Sequence, residues 1–289
     1  MSAPYALDKR RVRRAFDRAA QSYDGVAVLQ REVCDRALER LDLMRLQPRV
    51  IVDAGSGTGY GARCLVHRYP GATVLHLDIA EGMLRRARSL RPLPQRWFAP
   101  GRERFVCGGN ERMPLREASA ALVWSNLAFQ WAGDLPRALA ECRRVLHPGG
   151  LLMFTTFGPD TLKELRHAFA EAGGAPHVNR FIDMHDIGDM LVHAGLSNPV
   201  MDMEVITLTY ESATQLMREL KALGAGNAAQ GRPRGLTGRR AMEQVGRRYE
   251  TLRREGRLPA TFEIVYGHAW KPERRTGPAG RPVIEIKAG

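Results

Sequence analysis

Residues 50–59, Val50-Ile51-Val52-Asp53-Ala54-Gly55-Ser56-Gly57-Thr58-Gly59, decide the fold. An apolar, β-prone run ends in a carboxylate, glycines follow at alternate positions, and residues 60–68 read as a helix. A strand, a glycine turn and a helix N-terminus in this order place a ligand at the carboxyl end of the first strand of a doubly wound sheet. Glycine permits positive φ and lets the backbone approach a ligand that a Cβ would hold off. The spacing is Gly-x-Gly-x-Gly, not the Gly-x-Gly-x-x-Gly of a dinucleotide site, whose pyrophosphate needs free helix amides.

Working outward, residues 72–78 form a second apolar strand ending in Asp78, where a carboxylate accepts both hydroxyls of a ribose. A glycine run alone is unspecific. With Asp53 before it and Asp78 ending the next strand, the pattern reads as a site for S-adenosylmethionine. Helix and strand then alternate as a doubly wound fold demands. Strands are expected at residues 105–107, 120–125 and 151–156, with helices at 81–90, 135–146, 161–172 and 182–194. His147-Pro148-Gly149-Gly150 reads as a tight turn. Strands at 205–210 and 262–270 close the sheet. Residues 211–258 between them are far longer than a hairpin loop and carry helices at 214–223 and 239–254. Helices at 9–23 and 26–43 precede the first strand; by pattern alone they serve equally as a lid over the ligand or as packing helices outside the sheet. The expected organisation is one domain over residues 1–271, with 1–46 a helical lid, 211–258 a basic helical insertion and 272–289 a disordered tail.

Composition bounds the function. No apolar run approaches a membrane span, and residues 1–14 are polar and basic, without the apolar segment of a secretory signal. A cytoplasmic protein is expected. The cysteines Cys34, Cys64, Cys107 and Cys142 contain no C-x-x-C pair, so neither a metal site nor a disulfide framework is expected. The net charge of +13 suits nucleic acid, an anionic membrane or an acidic protein, and an arginine-rich genome explains it equally. Residues 218–257 hold 11 Lys and Arg against 4 Glu, about half of the excess.

At the carboxyl ends of the strands fall Asp53, Gly55, Gly57, Gly59, Asp78, Ile79, Asn110, Glu111, Ser125, Asn126 and Leu127, the expected cofactor-binding set. Asn110 offers donor and acceptor to an adenine edge. Residues 125–131, SNLAFQW, leave the fourth strand and either face the reacting methyl group, with Gln130 and Trp131 on the substrate, or anchor the core. Arg180 in HVNRF (177–181) is either a fork for a carboxylate or a surface arginine. No Ser/His/Asp arrangement is present, and methyl transfer to an anionic acceptor needs positioning and desolvation more than a base.

Together RAFDRAAQSYD (14–24), LQREV (29–33), VDAGSGTGYGARCL (52–65), SNLAFQW, RVLHPGGLLMFTTFGPDTLKELR (144–166), HVNRF and LTYESATQLMRELKALGAGN (208–227) resemble the malonyl-acyl-carrier-protein O-methyltransferases of biotin synthesis. The likeness covers roughly residues 10–271; the glycine motif is shared by all class I methyltransferases, the other segments are more specific. It implies an α/β, Rossmann-like class I methyltransferase fold with a doubly wound, seven-stranded, mostly parallel sheet and a helical insertion near the C-terminus. It implies S-adenosylmethionine as donor and the free carboxylate of malonyl-loaded acyl carrier protein as acceptor, masking a charge that apolar synthase pockets would reject. Arg180 would orient that carboxylate, Tyr23 would close over the site, and His177 would contact substrate. Arg239, Arg240, Arg247 and Arg248 would meet the acidic carrier protein. The expected state is a monomer with no nucleic-acid or membrane partner. The family usually carries Asp-x-Glu where this chain has Gly109-Asn110-Glu111, which puts one adenine contact in doubt. Three rivals stand beside this reading. One is a complex I assembly protein similar to an arginine hydroxylase, suggested by Gly158-Pro159-Asp160-Thr161-Leu162. The others are an RNA methyltransferase and a non-catalytic assembly factor on the same fold. For RNA there is no Asn-Pro-Pro-Tyr motif and no basic stripe interleaved with aromatics.

Overall fold

The computed structural model describes residues 7–91, 102–171, 179–228 and 238–273. Its centre is a seven-stranded sheet of order β3-β2-β1-β4-β5-β7-β6. The strands are β1 (Val50–Ala54), β2 (Thr73–Asp78), β3 (Glu103–Cys107), β4 (Ala120–Ser125), β5 (Leu146–Phe157), β6 (Ser197–Tyr210) and β7 (Leu258–Trp270). Pairings from β3 through β5 are parallel, and β7 runs antiparallel between β5 and β6.

The central strands are apolar on both sides because helices cover both faces. Ile51, Leu122, Trp124, Leu151 and Met153 face one layer, and Val52, Val123, Leu152 and Phe154 the other. On the first face pack α3 (Val28–Arg40), α4 (Tyr60–Arg68), α7 (Lys163–Glu171), α9 (Ala213–Ala222) and α10 (Arg239–Glu250); on the second, α6 (Leu135–Val145) and α8 (Met184–His193). The helices α1 (Lys9–Ala19) and α2 (Tyr23–Val26) lie at the carboxyl ends of the strands, against α5 (Glu81–Ser89).

Several boundaries differ from the sequence expectation. The helix expected over 9–23 breaks after Ala19, where Ser22 turns its hydroxyl to the Ala19 carbonyl and Tyr23 begins a new turn. His147 to Gly150 is not a tight turn but the bulged start of β5: Gly149 takes φ +78° and donates to the Lys271 carbonyl, and Lys271 donates back to Gly150. β6 begins at Ser197, eight residues before the expected start. Pro199 sits at its register shift, and its side chains alternate between half-buried and exposed along an edge, so the apolar signal is diluted. The tail beyond residue 273 and most of the basic loop after Arg91 lie outside the described residues.

Candidate active site

The glycines after β1 do three different jobs. Gly55 (φ +85°) has no room for a side chain, since a Cβ there would lie 2.2 Å from that of Ala128. Gly59 (φ +81°) ends the turn as the N-cap of α4, and a Cβ would press on His76 at 2.9 Å. Gly57 (φ +53°) has nothing among the described residues within 4 Å of its missing Cβ and faces open space. Backbone amides hold the turn against β2: Gly55 and Ser56 donate to the Leu77 carbonyl, and Gly57 donates to Asp78 Oδ2 at 2.9 Å. The other oxygen of Asp78 accepts from the Ala80 amide at 2.8 Å.

Two clefts open on this turn. The smaller, of about 80 Å³, is lined by Gly57, Asp78, Ile79, Asn110, Leu127 and Trp131, with Glu111, Asn126 and Tyr23 also on its wall. The larger, of about 440 Å³, is lined by Asp53, Ser56, Gly57, Trp124, Asn126 and Tyr23. Burial raises the Asp53 carboxyl to about 7, helped by the charge of Asp78 and opposed by the Ala62 amide and Arg63. Burial also raises Asp78 to about 6 against the Ala80 and Gly57 amides. Burial pushes the Tyr23 phenol far above its usual range, so it stays neutral.

The N-terminal helices cover the smaller cleft. Phe16 meets Trp131 edge-on at 5.3 Å between ring centres, and Lys9 forms an ion pair with Glu111, whose other oxygen accepts from the Gly133 amide. Lys9 is half-buried, and desolvation lowers its pKa. Asp17 accepts from the Gly82 amide at the start of α5, and Asp24 binds the Thr58 hydroxyl and Arg86. Sequence reasoning missed Lys9, Asp24 and Thr58, because a lysine or aspartate on a short helix carries no pattern that names its partner.

Other expected residues stand elsewhere. Ser125 is buried and donates to the Ala54 carbonyl, outside both clefts. Arg180 is exposed and shares a crevice of about 30 Å³ with Gln130 and Phe181. Arg239, Arg240, Arg247 and Arg248 line none of these cavities, and Arg239 pairs with Glu243 on its own helix. His177 lies outside the described residues. Beside the clefts is a chamber of about 760 Å³, walled by Phe157, Leu165, Phe169, Phe181, Met217 and Phe262, with Arg11, Arg18, Arg218 and Lys221 also on its lining. Among the described residues no group of three metal-ligating side chains occurs, and no helix is long and apolar enough to cross a membrane.

The donor set fits S-adenosylmethionine. Asp78 ends β2 beside an open glycine, where a ribose belongs. Around the larger cleft Gln30 Oε1, Ser56 Oγ and Trp124 Nε1 are buried without a hydrogen-bond partner among the described residues. A buried unsatisfied polar atom costs about 1–3 kcal/mol, so such a cluster points to a polar ligand.

This sheet order and the glycine turn at its switch point define a class I methyltransferase. Residues 52–154 match the methyltransferase-domain family. A putative methyltransferase from Bacillus halodurans shares the fold at a TM-score of 0.58, with 16% identity, over 82% of this chain and 98% of that one. Closer in sequence is a malonyl-[acyl-carrier protein] O-methyltransferase from Nitrosospira multiformis, 58% identical over 93% of this chain and 91% of the relative. One of the same name from Methylovorus sp. is 54% identical over 98% and 96%. The chain belongs to the malonyl-[acyl-carrier protein] O-methyltransferase family, and it is an S-adenosylmethionine-dependent methyltransferase.

Proposed function

We propose that this enzyme methylates the free carboxylate of malonyl-loaded acyl carrier protein, giving the methyl ester that primes pimeloyl synthesis for biotin. The observation that carries the reading is the 760 Å³ chamber beside the donor clefts. Its apolar walls suit an acyl-thioester arm, and the cations on its lining suit an acidic carrier. The relatives' names support the same acceptor. The complex I and RNA readings draw no such support.

Bound S-adenosylmethionine supplies an electrophilic methyl on a sulfonium. The chain's own work is to orient and desolvate. Asp53 and Asp78 hold the two ends of the donor, while Gly55 and Gly57 let the backbone come close; Ile79, Asn110, Glu111 and Leu127 frame its adenine side, and Asn126 borders both clefts. Gly59 and Ser125 act behind this surface by fixing the turn and β4. Arg180 forks onto one oxygen of the malonyl carboxylate, leaving the other to attack, with Gln130 and Trp131 bordering the acceptor. No general base is needed, since the acceptor is already anionic. Tyr23 closes over the reacting atoms as a neutral phenol. Arg11, Arg18, Arg218 and Lys221 meet acidic residues of the carrier near the thioester, and Arg239, Arg240, Arg247 and Arg248 meet the carrier surface farther out.

The test is transfer of a labelled methyl group to malonyl-loaded carrier protein with acetyl-loaded carrier as control. The account expects label on the first alone. Label on both, or on neither, contradicts it.

A further inference from the structure

Gln30 stands where two cavities meet. Among the described residues it is the one residue on the lining of both the 440 Å³ cleft at the glycine turn and the 760 Å³ chamber. It is the third residue of α3, and its main chain is fixed: the Gln30 carbonyl accepts from Asn126 Nδ2 at 2.9 Å. Asn126 Oδ1 in turn accepts from the Thr155 hydroxyl at 2.7 Å, and that hydroxyl accepts from the Leu127 amide at 2.9 Å. The start of α3 is thereby tied to the ends of β4 and β5.

The side-chain oxygen has no such anchor. This carboxamide oxygen, Oε1, is buried without a hydrogen-bond partner among the described residues. An amide oxygen kept out of water is costly unless a donor arrives to meet it. The rest of the cleft says what kind of donor fits. Asp24 and, once ionised, Asp53 supply negative charge, Arg31 and Arg63 supply positive charge, and Trp124 Nε1 is a further buried group, a donor, without a partner among the described residues. Unsatisfied acceptor and unsatisfied donor on one cleft, with carboxylates and guanidiniums among its lining, match an α-amino acid zwitterion.

We propose that Gln30 is a donor-binding residue: its Oε1 accepts a hydrogen bond from the α-ammonium at the methionyl end of S-adenosylmethionine. Donor occupancy then orders a residue on the wall between the larger cleft and the chamber. Gln30 thus couples the two sites. The inference rests on the donor and is independent of which acceptor is methylated.

The test is calorimetric titration, without acceptor, of S-adenosylhomocysteine and its deamino analogue into wild type, Gln30→Met and Gln30→Glu. A hydrogen bond to a charged group predicts that Gln30→Met weakens S-adenosylhomocysteine by about tenfold or more. The deamino analogue must bind wild type and Gln30→Met alike, and Gln30→Glu, whose carboxylate also accepts, must retain affinity for the ammonium-bearing ligand. Unchanged binding to Gln30→Met overturns the proposal, as does an equal loss for both ligands, which would make the residue a packing element only. Where Gln30→Met does not fold, Gln30→Glu decides alone: it must prefer S-adenosylhomocysteine over the deamino analogue at least as strongly as wild type does, and a smaller preference overturns the proposal. Absence of binding to wild type would instead contradict the donor assignment itself.

Discussion

Replacing Gly55 and Gly57 by alanine should separate folding from donor binding within one turn. Both residues have positive φ, so each alanine incurs about 1–2 kcal/mol of left-handed strain. At Gly57 that is the whole folding cost, because nothing among the described residues lies within 4 Å of the new Cβ. At Gly55 the Cβ would also lie 2.2 Å from the Ala128 Cβ, and forcing the two backbones apart adds about 1–3 kcal/mol. Gly55→Ala should therefore cost about 2–5 kcal/mol in total. At roughly 2–4 °C per kcal/mol, Gly57→Ala should melt a few degrees below wild type and Gly55→Ala clearly lower. Affinity for S-adenosylhomocysteine should follow a different order. The Gly57 methyl projects into the space the donor needs, so binding should fall at least tenfold in a variant that is still well folded. Calorimetry of melting and of ligand binding on the same preparations measures both. Wild-type affinity in Gly57→Ala, or a Gly55→Ala variant as stable as Gly57→Ala, would refute the reasoning.

Asp53 gives a pH prediction. Its folded pKa, about 7, lies above the unfolded carboxylate value, so its contribution to the stability of the ligand-free enzyme is present below about pH 4 and lost as pH rises through 7. Asp53→Asn should then stabilise the ligand-free enzyme at pH 8, by up to about 4 kcal/mol, in chemical denaturation. A donor ammonium needs the ionised form, so affinity for S-adenosylhomocysteine should rise about tenfold from pH 6 to pH 8 in wild type and stay flat in Asp53→Asn. Glu111→Gln removes the half-buried ion pair with Lys9 that fastens α1 over the smaller cleft, and should speed ligand release by about fivefold in stopped-flow fluorescence of Trp131. Arg180→Ala should abolish methyl transfer while leaving donor affinity unchanged by calorimetry. Charge reversal at Arg218 and Lys221 should raise the KM for malonyl-loaded carrier protein more than reversal at Arg247 and Arg248, with a difference that shrinks as salt rises.

The parallel strands β1, β2 and β4 were readable because they are short apolar runs, and β1 and β2 carry a carboxylate at or beside their ends. Ala120–Ser125 is the span expected, and β1 runs one residue past the expected carboxylate, to Ala54. β6 was half hidden because an edge strand need bury only one side, and Pro199 interrupts its pattern. The glycine motif announced a ligand, but only three-dimensional packing separates Gly55 and Gly59, which are crowded, from Gly57, which is open. Charge counting found the basic insertion without saying which cations face the chamber: Arg218 and Lys221 do, whereas Arg239 pairs along its own helix. Lys9 and Gln30 left no sequence signal at all. One acts through a partner 102 residues away, and the other is marked by an oxygen without a hydrogen-bond partner among the described residues.

The acceptor is the central claim, and intact-mass spectrometry of malonyl-loaded acyl carrier protein incubated with enzyme and S-adenosylmethionine addresses it most directly. The account predicts that the carrier gains the mass of one methyl ester, that fragmentation places it on the malonyl carboxylate, and that Arg180→Ala yields none. An unmodified carrier, or a methyl group found on the polypeptide instead of the malonyl group, would contradict it.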